Sequence, residues 1–289
     1  MQSNRSILSW GRTALTILAA AFALSAWQAL AQPPRPDFPP GSYGDKVLKR
    51  GKVIIGVRYD IPLYGFQNPK TGAVEGFEVD MGKELARALF GDPSKVEFRQ
   101  VVSRTRIPML QEGVVDVVIA NLTQTKKRME EIDFTDMYNL AGMQALVPEA
   151  SPIKALKDLN NATIAVAKGG TGEQHMRQAY PQAKLLLLDS HGDSFQALVS
   201  RRATVFVADD TTLQGMQEKL KGFRVIPERL TFEPHAMGVA KGRPEFVAFL
   251  NAFIRDFKAS GKWKELYRKN VGDPVPEPPP GVPEPQWLR

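Results

Sequence analysis

The sequence predicts an α/β protein with mostly parallel sheets, and three observations support this prediction. Short apolar runs alternate with amphipathic stretches, which is the order of strands and helices in such folds. Polar residues directly follow several apolar runs, and ligands bind beyond the carboxyl ends of parallel strands. The 289 residues suffice for one large core or two smaller ones.

Strands and helices are predicted to alternate from residue 53 to residue 260. Apolar runs predict strands at residues 53–57, 96–102, 114–120, 164–167, 185–188 and 205–208. Apolar residues on one helical face predict helices at residues 76–90, 106–112 and 244–260. Three further helices are predicted to follow Gly172, Gly192 and Thr211.

The first 31 residues have the pattern of a cleaved secretory signal. Arg5 and Arg12 precede an apolar stretch at residues 13–27, and Ala29 and Ala31 form a small-residue cleavage site. A membrane anchor is the alternative, but the stretch is short for a span. We therefore expect a periplasmic chain with a loose leader at residues 32–43 and a proline-rich tail at residues 273–289.

Composition narrows the classes of site. The chain has no cysteine, which excludes disulfides, thiolate metal sites and a lipid-modified cysteine. The formal net charge of +7 is not gathered into a basic stripe with aromatic residues, so nucleic-acid binding is not expected. We expect no cofactor and no metal, and the mild positive charge suits a small anionic ligand.

Several groups that suit a zwitterion follow predicted strands. Thr123 and Arg128 lie about one helical turn apart, and a bidentate arginine suits a carboxylate. The glycine-rich residues 168–172 lead into a helix whose N–H groups can face an anion, although a simple tight turn is the alternative. Asp209 suits an ammonium group, unless Asp209 or Asp210 caps the next helix.

Three potentially cationic side chains, Arg58, Arg106 and His191, also lie at strand or loop ends, although solvated surface positions are the alternative. Arg58 and Arg106 buried together without an anion would repel each other, and a ligand carboxylate would relieve this repulsion. The other two histidines, His175 and His235, are interpreted as structural.

Residues 76–81, with Leu85, Ala86 and Leu89, resemble the signature of the family 3 extracellular solute-binding proteins. Residues 121–128 are similar to the ligand segment of that family, and residues 169–172 to its second-lobe loop. The resemblance runs from about residue 44 to residue 272. Residues 103–111, 191–195 and 209–210 resemble the glutamate/aspartate-binding members, from whose pattern Asn121, Lys168 and Gly170 depart.

This resemblance implies a two-lobed periplasmic-binding-protein (type 2) fold, in which two α/β lobes are joined by two hinge strands. Lobe one would comprise residues 44–142 and 237–272, lobe two residues 143–236, and the hinges residues 141–147 and 236–240. The implied ligand-binding residues are Arg58, Ser103, Arg106, Asn121, Thr123, Arg128, Lys168, Thr171, His191 and Asp209.

The resemblance also implies roles for these residues. The α-carboxylate of L-glutamate or L-aspartate would lie on Arg128, Thr123 and the Thr171 backbone. Asp209, helped by Asn121, would take the α-ammonium. The side-chain carboxylate would be surrounded by Arg58, Ser103, Arg106 and His191.

The implied function is hinge closure around the amino acid, followed by delivery from a monomer to an inner-membrane ABC permease. Two alternatives remain. One is an enzyme resembling cyclohexadienyl dehydratase, with Glu173, Lys168 and His191 as acid and base. The other is a sensor that presents the ligand-bound form to a receptor.

Overall fold

The computed structural model describes residues 36–273. The predicted signal peptide, the start of the predicted leader and the tail beyond Asp273 lie outside the described residues. Within residues 36–273, no helix is long and apolar enough to span a membrane.

Eleven strands and nine α-helices make up the described chain. The strands are β1 (Val53–Val57), β2 (Asp60–Ile61), β3 (Gly65–Gln67), β4 (Val74–Glu75), β5 (Val96–Gln100), β6 (Val117–Val118), β7 (Ile132–Pro148), β8 (Thr163–Ala167), β9 (Lys184–Leu188), β10 (Val205–Asp209) and β11 (Phe223–Ala240). The helices are α1 (Tyr43–Arg50), α2 (Phe77–Phe90), α3 (Arg106–Gln111), α4 (Lys126–Glu131), α5 (Thr171–Ala179), α6 (His191–Val199), α7 (Asp210–Lys219), α8 (Pro244–Ala259) and α9 (Lys262–Asn270), with a 3-10 helix at Leu156–Asn161.

One mixed eight-stranded sheet runs through the molecule in the order β5-β1-β6-β11-β7-β10-β8-β9. Strand β1 is parallel to β5 and β6 on one side, and β8 is parallel to β10 and β9 on the other. The two longest strands, β7 and β11, pair antiparallel with each other in the middle of this order. Strands β2 to β4 form a separate three-stranded antiparallel sheet.

The apolar residues form separate cores on the two sides of the central strands. One core packs β1 against α2, α8 and α9, and includes the contacting aromatic rings of Phe77, Trp263 and Tyr267. The other packs β8 and β10 against α5, with Met176 at its centre. We call β1–β6 with α1–α4, α8 and α9 the first lobe, and β8–β10 with α5–α7 the second lobe. The α/β and two-lobed predictions are confirmed, while the residue boundaries predicted for the lobes stay a prediction.

Several predicted elements differ from the observed ones. Of the strand predicted at residues 114–120, only Val117–Val118 joins the sheet, because the Val114 and Val115 N–H groups both donate to the Met109 carbonyl and close the turn after α3. The hinge strands are much longer than the predicted residues 141–147 and 236–240, since β7 and β11 extend through polar stretches without continuous apolar runs.

The leader is not loose where the structure describes it. Phe38 is buried against Phe246 and Phe249, and α1 begins at Tyr43. Neither α1 nor α9 nor the three-stranded sheet is predicted by the apolar pattern. The helices α5, α6 and α7 begin slightly earlier than predicted, which brings Thr171 and His191 to the first positions of their helices.

Candidate functional site

A small cavity lies between the two lobes, at the carboxyl ends of their strands. Its lining residues come from both lobes: Ser103, Arg106, Asn121, Met143, Ala167, Gly170, Thr171, Gly172, His191, Val207, Ala208 and Asp209. The cavity volume of about 20 Å³ is close to the space that one water molecule needs. The cavity is therefore almost closed in this structure.

Six of the ten predicted site residues line this cavity. They are Ser103, Arg106, Asn121, Thr171, His191 and Asp209. Three more lie behind the lining. Arg58 reaches Ser103 Oγ at 3.3 Å, and Arg128 Nη1 donates to the Thr123 carbonyl at 2.8 Å.

Lys168 is exposed and does not line the cavity, so its predicted role stays a prediction. Arg128 Nη2 also lies 3.4 Å from the Gly169 carbonyl, which connects the ligand segment of the first lobe to the glycine-rich loop of the second.

Arg106 is buried with backbone partners only. Its Nη1 donates to the carbonyls of Ala120 and Asn121 at 2.7 and 2.9 Å, and its Nε has no partner within the described residues. Burial, followed by the charges of Arg128 and Arg58, lowers the pKa of Arg106 well below its ordinary value. Within residues 36–273, the side-chain partners of Arg106 and Arg128 are backbone carbonyls, and neither arginine forms a salt bridge.

Arg58, by contrast, has its own carboxylate. Its Nε and Nη2 donate to the two oxygens of Asp60 at 2.8 Å each, a bidentate ion pair with Arg58 almost fully buried. Burial opposes ionisation of Asp60, but the Arg58 charge and hydrogen bonds prevail and lower the pKa of Asp60 to about 2. The premise that Arg58 and Arg106 both await a ligand anion is therefore wrong for Arg58.

Asp60 also joins the lobes. Its Oδ2 accepts from the N–H groups of His191 and Gly192 at 2.9 and 3.3 Å, at the start of α6. A carboxylate at a helix N-terminus satisfies N–H groups that lack partners inside the helix. The Arg58–Asp60 pair of the first lobe therefore contacts the start of α6 in the second lobe.

His191 is held neutral in this setting. Burial, followed by the positive charge of Arg58, lowers the pKa of His191 to about 4. Its Nδ1 lies 3.4 Å from Arg58 Nη2, a position in which the nitrogen of a neutral ring accepts. His191 therefore offers the cavity a hydrogen-bonding group without a second positive charge.

Asp209 occupies the N-cap position of α7, yet its side chain makes no capping hydrogen bond. It lies 3.1 Å from Nε2 of the fully buried His235 instead. Burial opposes ionisation of Asp209, but its hydrogen bond with His235 and the His235 charge lower the pKa of Asp209. Asp210, in contrast, makes contacts at the start of α7 itself. It accepts a hydrogen bond from the Thr211 N–H and pairs with Arg229. Of the two aspartates, Asp209 thus faces the cavity as an anion.

Asn121 and Glu78 hold the first-lobe wall of the cavity. The fully buried Glu78 accepts from the Asn121 N–H at 2.8 Å and from the Tyr138 hydroxyl. The Asn121 amide lies between Glu78 and Thr211 of the second lobe, and the orientation that satisfies both places its nitrogen on Glu78. Because the amide is engaged in this way, a direct contact of Asn121 with a ligand ammonium stays a prediction.

The glycine-rich loop presses against the first lobe. Gly169 has a φ of 76°, and a Cβ at this position would lie 3.0 Å from Arg104 Cα. The loop ends at the first turn of α5, where Gly170, Thr171 and Gly172 line the cavity. Glu173 serves this loop, because it accepts from the Gly169 N–H at 2.9 Å and pairs with Arg177.

Sequence reasoning missed Asp60 and Glu78 and assigned His235 only a structural role. Asp60 lies 131 residues from His191, and Glu78 lies 43 residues from Asn121. Glu78 lies at the second position of α2, but that helix also carries Asp80, Lys83, Glu84 and Arg87, so its charge alone does not mark it. No local pattern distinguishes Asp60 or His235.

The chain matches the bacterial extracellular solute-binding proteins, family 3, over residues 53–273. It belongs to this family. The glutamine-binding protein of Geobacillus stearothermophilus is 40% identical over 198 residues, which are 68% of this chain and 76% of the relative. The glutamate/aspartate import solute-binding protein of Escherichia coli (strain K12) is 27% identical over 268 residues, 89% of this chain and 87% of the relative.

Solved structures agree with this membership. The cysteine-binding protein from Campylobacter jejuni matches with a TM-score of 0.77 at 30% identity, covering 81% of this chain and 96% of that chain. An ancestral amino acid-binding protein, described as a precursor of cyclohexadienyl dehydratase, matches with a TM-score of 0.71 at 33% identity, covering 80% and 99%.

Proposed function

We propose that this chain is the amino-acid-binding component of a bacterial ABC importer, and that its ligand is an acidic amino acid, L-glutamate or L-aspartate. The observation that carries this proposal is the charge pattern at the cavity. Two buried or half-buried arginines, Arg106 and Arg128, have no carboxylate within salt-bridge distance in the described chain, and one carboxylate, Asp209, faces the cavity. A ligand with two carboxylates and one ammonium group complements this pattern.

Each ligand group has a proposed position. The α-carboxylate binds Arg128, Thr123 and the N–H groups at the start of α5, where the helix terminus favours an anion. The α-ammonium binds Asp209. The side-chain carboxylate binds Arg106, with Ser103 and His191 beside it. Because an unpaired buried charge is costly, a ligand that pairs both arginines gains more than one that pairs a single arginine.

L-glutamine is the second candidate, and a specific observation favours it. Asp60 neutralises Arg58, which leaves Arg106 as the one unpaired cation at the side-chain end of the cavity. An amide oxygen can accept from Arg106 without bringing a second negative charge. The Geobacillus relative, at 40% identity, is a glutamine-binding protein.

Hinge closure is the proposed mechanism. Polar contacts already join the lobes around the cavity, namely Asp60 with α6, Asn121 with Thr211, and Arg128 with the Gly169 carbonyl. These contacts form only when the lobes close, so ligand capture and closure are coupled. We propose that the closed monomer acts in the periplasm and docks on an inner-membrane permease. Delivery to a receptor differs only in the partner.

The dehydratase-like alternative loses its proposed acid. Both carboxylate oxygens of Glu173 are engaged with Gly169 and Arg177, and Lys168 is exposed outside the cavity lining. His191 alone does not supply an acid and a base. We therefore propose binding without turnover, which incubation with prephenate or arogenate would contradict if product formed.

Calorimetric titration of the exported chain tests the ligand. The protein is stripped of bound ligand by unfolding and refolding, and then titrated with L-glutamate, L-aspartate, L-glutamine, L-asparagine and L-histidine. We expect L-glutamate to bind more tightly than L-glutamine. Binding of the amides alone would replace glutamate by the second candidate, and binding of none of the five would contradict the proposed ligand class.

A further inference from the structure

We infer that Asp60 is a specificity-determining residue, which sets how strongly the site prefers a carboxylate over an amide at the end of the ligand side chain. This inference rests on the proposed function and refines it. The residue is not one of the cavity lining, and it would act through Arg58, whose contacts reach the lining.

Most of the Arg58 N–H groups already have partners within the described residues. Its Nε and Nη2 are bound by Asp60, its Nη1 by Ser103 Oγ at 3.3 Å, and Nη2 also faces His191. Ser103 and His191 both line the cavity, so the ion pair lies directly behind the wall. A ligand carboxylate at this wall meets Arg58 and Asp60 together, and their charges cancel.

The same carboxylate stabilises the closed form. Asp60 Oδ2 accepts two N–H groups at the start of α6, where a ligand carboxylate would otherwise find favourable donors. Asp60 therefore pairs with Arg58 and with the N-terminus of α6. Both groups could otherwise bind an acidic side chain of the ligand. The protein retains acidic preference through Arg106 alone, which reduces discrimination against glutamine.

The test compares variants that differ in charge at Asp60 and Arg58. For each variant we measure one ratio, the Kd for L-glutamine divided by the Kd for L-glutamate. Asp60→Asn removes the negative charge but keeps an oxygen for the His191 N–H, so Arg58 becomes an unpaired cation. The ratio should rise by roughly tenfold, the effect of one close charge pair. Arg58→Gln leaves Asp60 unpaired and should lower the ratio. The double variant restores the original net charge and should return it to within about threefold of wild type.

Asp133→Asn is the matched control, since it removes a carboxylate of the partly exposed Lys241 pair in the same lobe. Its ratio should equal that of wild type. The three site variants shift the charge in different directions. If one of them fails to fold, the other two still test whether Asp60 sets the preference for a carboxylate. Unchanged ratios in proteins that bind both amino acids would overturn the inference alone. A wild-type protein that binds neither would overturn the proposed function and the inference together.

Discussion

At the residue scale, three arginines near the cavity differ in the partners that the chain gives them. Arg58 has the carboxylate of Asp60, Arg128 has the Thr123 carbonyl, and Arg106 has two carbonyls and an unpartnered Nε. Carbonyl oxygens orient a guanidinium but do not neutralise it. This difference in charge compensation is the reason we propose Arg106 and Arg128 as the ligand-binding cations.

Arg106→Met tests this assignment, because methionine keeps much of the volume without the charge. We expect L-glutamate affinity to fall by at least about a hundredfold, within the 2–5 kcal/mol typical of a lost buried charge partner. Arg87→Met, which removes an exposed ion pair of α2, is the control and should bind as wild type does. Calorimetry gives both affinities, and equal binding by the two variants would contradict the role of Arg106.

His191 should make the closed protein sensitive to acid. Its pKa is about 4 in the fold against an ordinary value of 6.5, because it is buried beside Arg58 and Arg106, with Asp60 and Asp209 opposing. A depressed pKa contributes stability that is present above pH 6.5 and is lost as the pH falls toward 4.

Over that range the loss attributable to His191 should approach about 3 kcal/mol. Denaturant unfolding of wild type and of His191→Gln, each saturated with ligand so that the lobes are closed, measures it at several pH values. The variant should lose less unfolding free energy than wild type between pH 6.5 and 4, and parallel profiles would show that His191 is not held neutral.

At the element scale, the second lobe closes on the first through one side of α7 and the starts of α5 and α6. Gly215 lies in the middle of α7, and a Cβ there would overlap the Pro62 carbonyl oxygen. Backbone cannot yield as a flexible side chain does. The glycine is therefore required for the lobes to approach this closely.

Gly215→Ala should oppose closure although alanine favours the helix itself by about 1 kcal/mol. We expect ligand affinity to fall at least about tenfold, which is 1.4 kcal/mol, without loss of thermal stability in the ligand-free protein. Glu218→Ala, at an exposed position of the same helix, controls for helix propensity. Small-angle scattering should show less compaction on ligand addition for the glycine variant, and full compaction would contradict the closure argument.

The elements predicted from sequence are those whose signal is local. Apolar runs identify β1, β8, β9 and β10 almost to the residue. Of the polar residues that follow predicted strands, Ser103, His191 and Asp209 line the cavity. The long strands β7 and β11 escape this method, since each gains its stability from pairing with the other rather than from an apolar run. Asp60 escapes it too, because its partner in α6 lies in the other lobe.

At the scale of the whole molecule, β7 and β11 are common to both halves of the sheet, and the cavity lies where the lobes meet. The cavity of about 20 Å³ is too small for an amino acid to enter directly. We therefore propose that binding proceeds through an open form, in which the contacts of Asp60, Asn121 and Arg128 across the lobes are absent.

The central claim is that a dicarboxylic amino acid lies between Arg128, Asp209 and Arg106. A crystal structure of the chain grown with L-glutamate tests it most directly. The account predicts closed lobes with the α-carboxylate on Arg128 and the start of α5, the ammonium on Asp209, and the side-chain carboxylate on Arg106, with the Arg58–Asp60 pair intact. The proposed ligand position would be contradicted by a glutamate whose side chain lies on Arg58 with the Arg58–Asp60 pair broken. A glutamate bound away from Arg106 would contradict it as well.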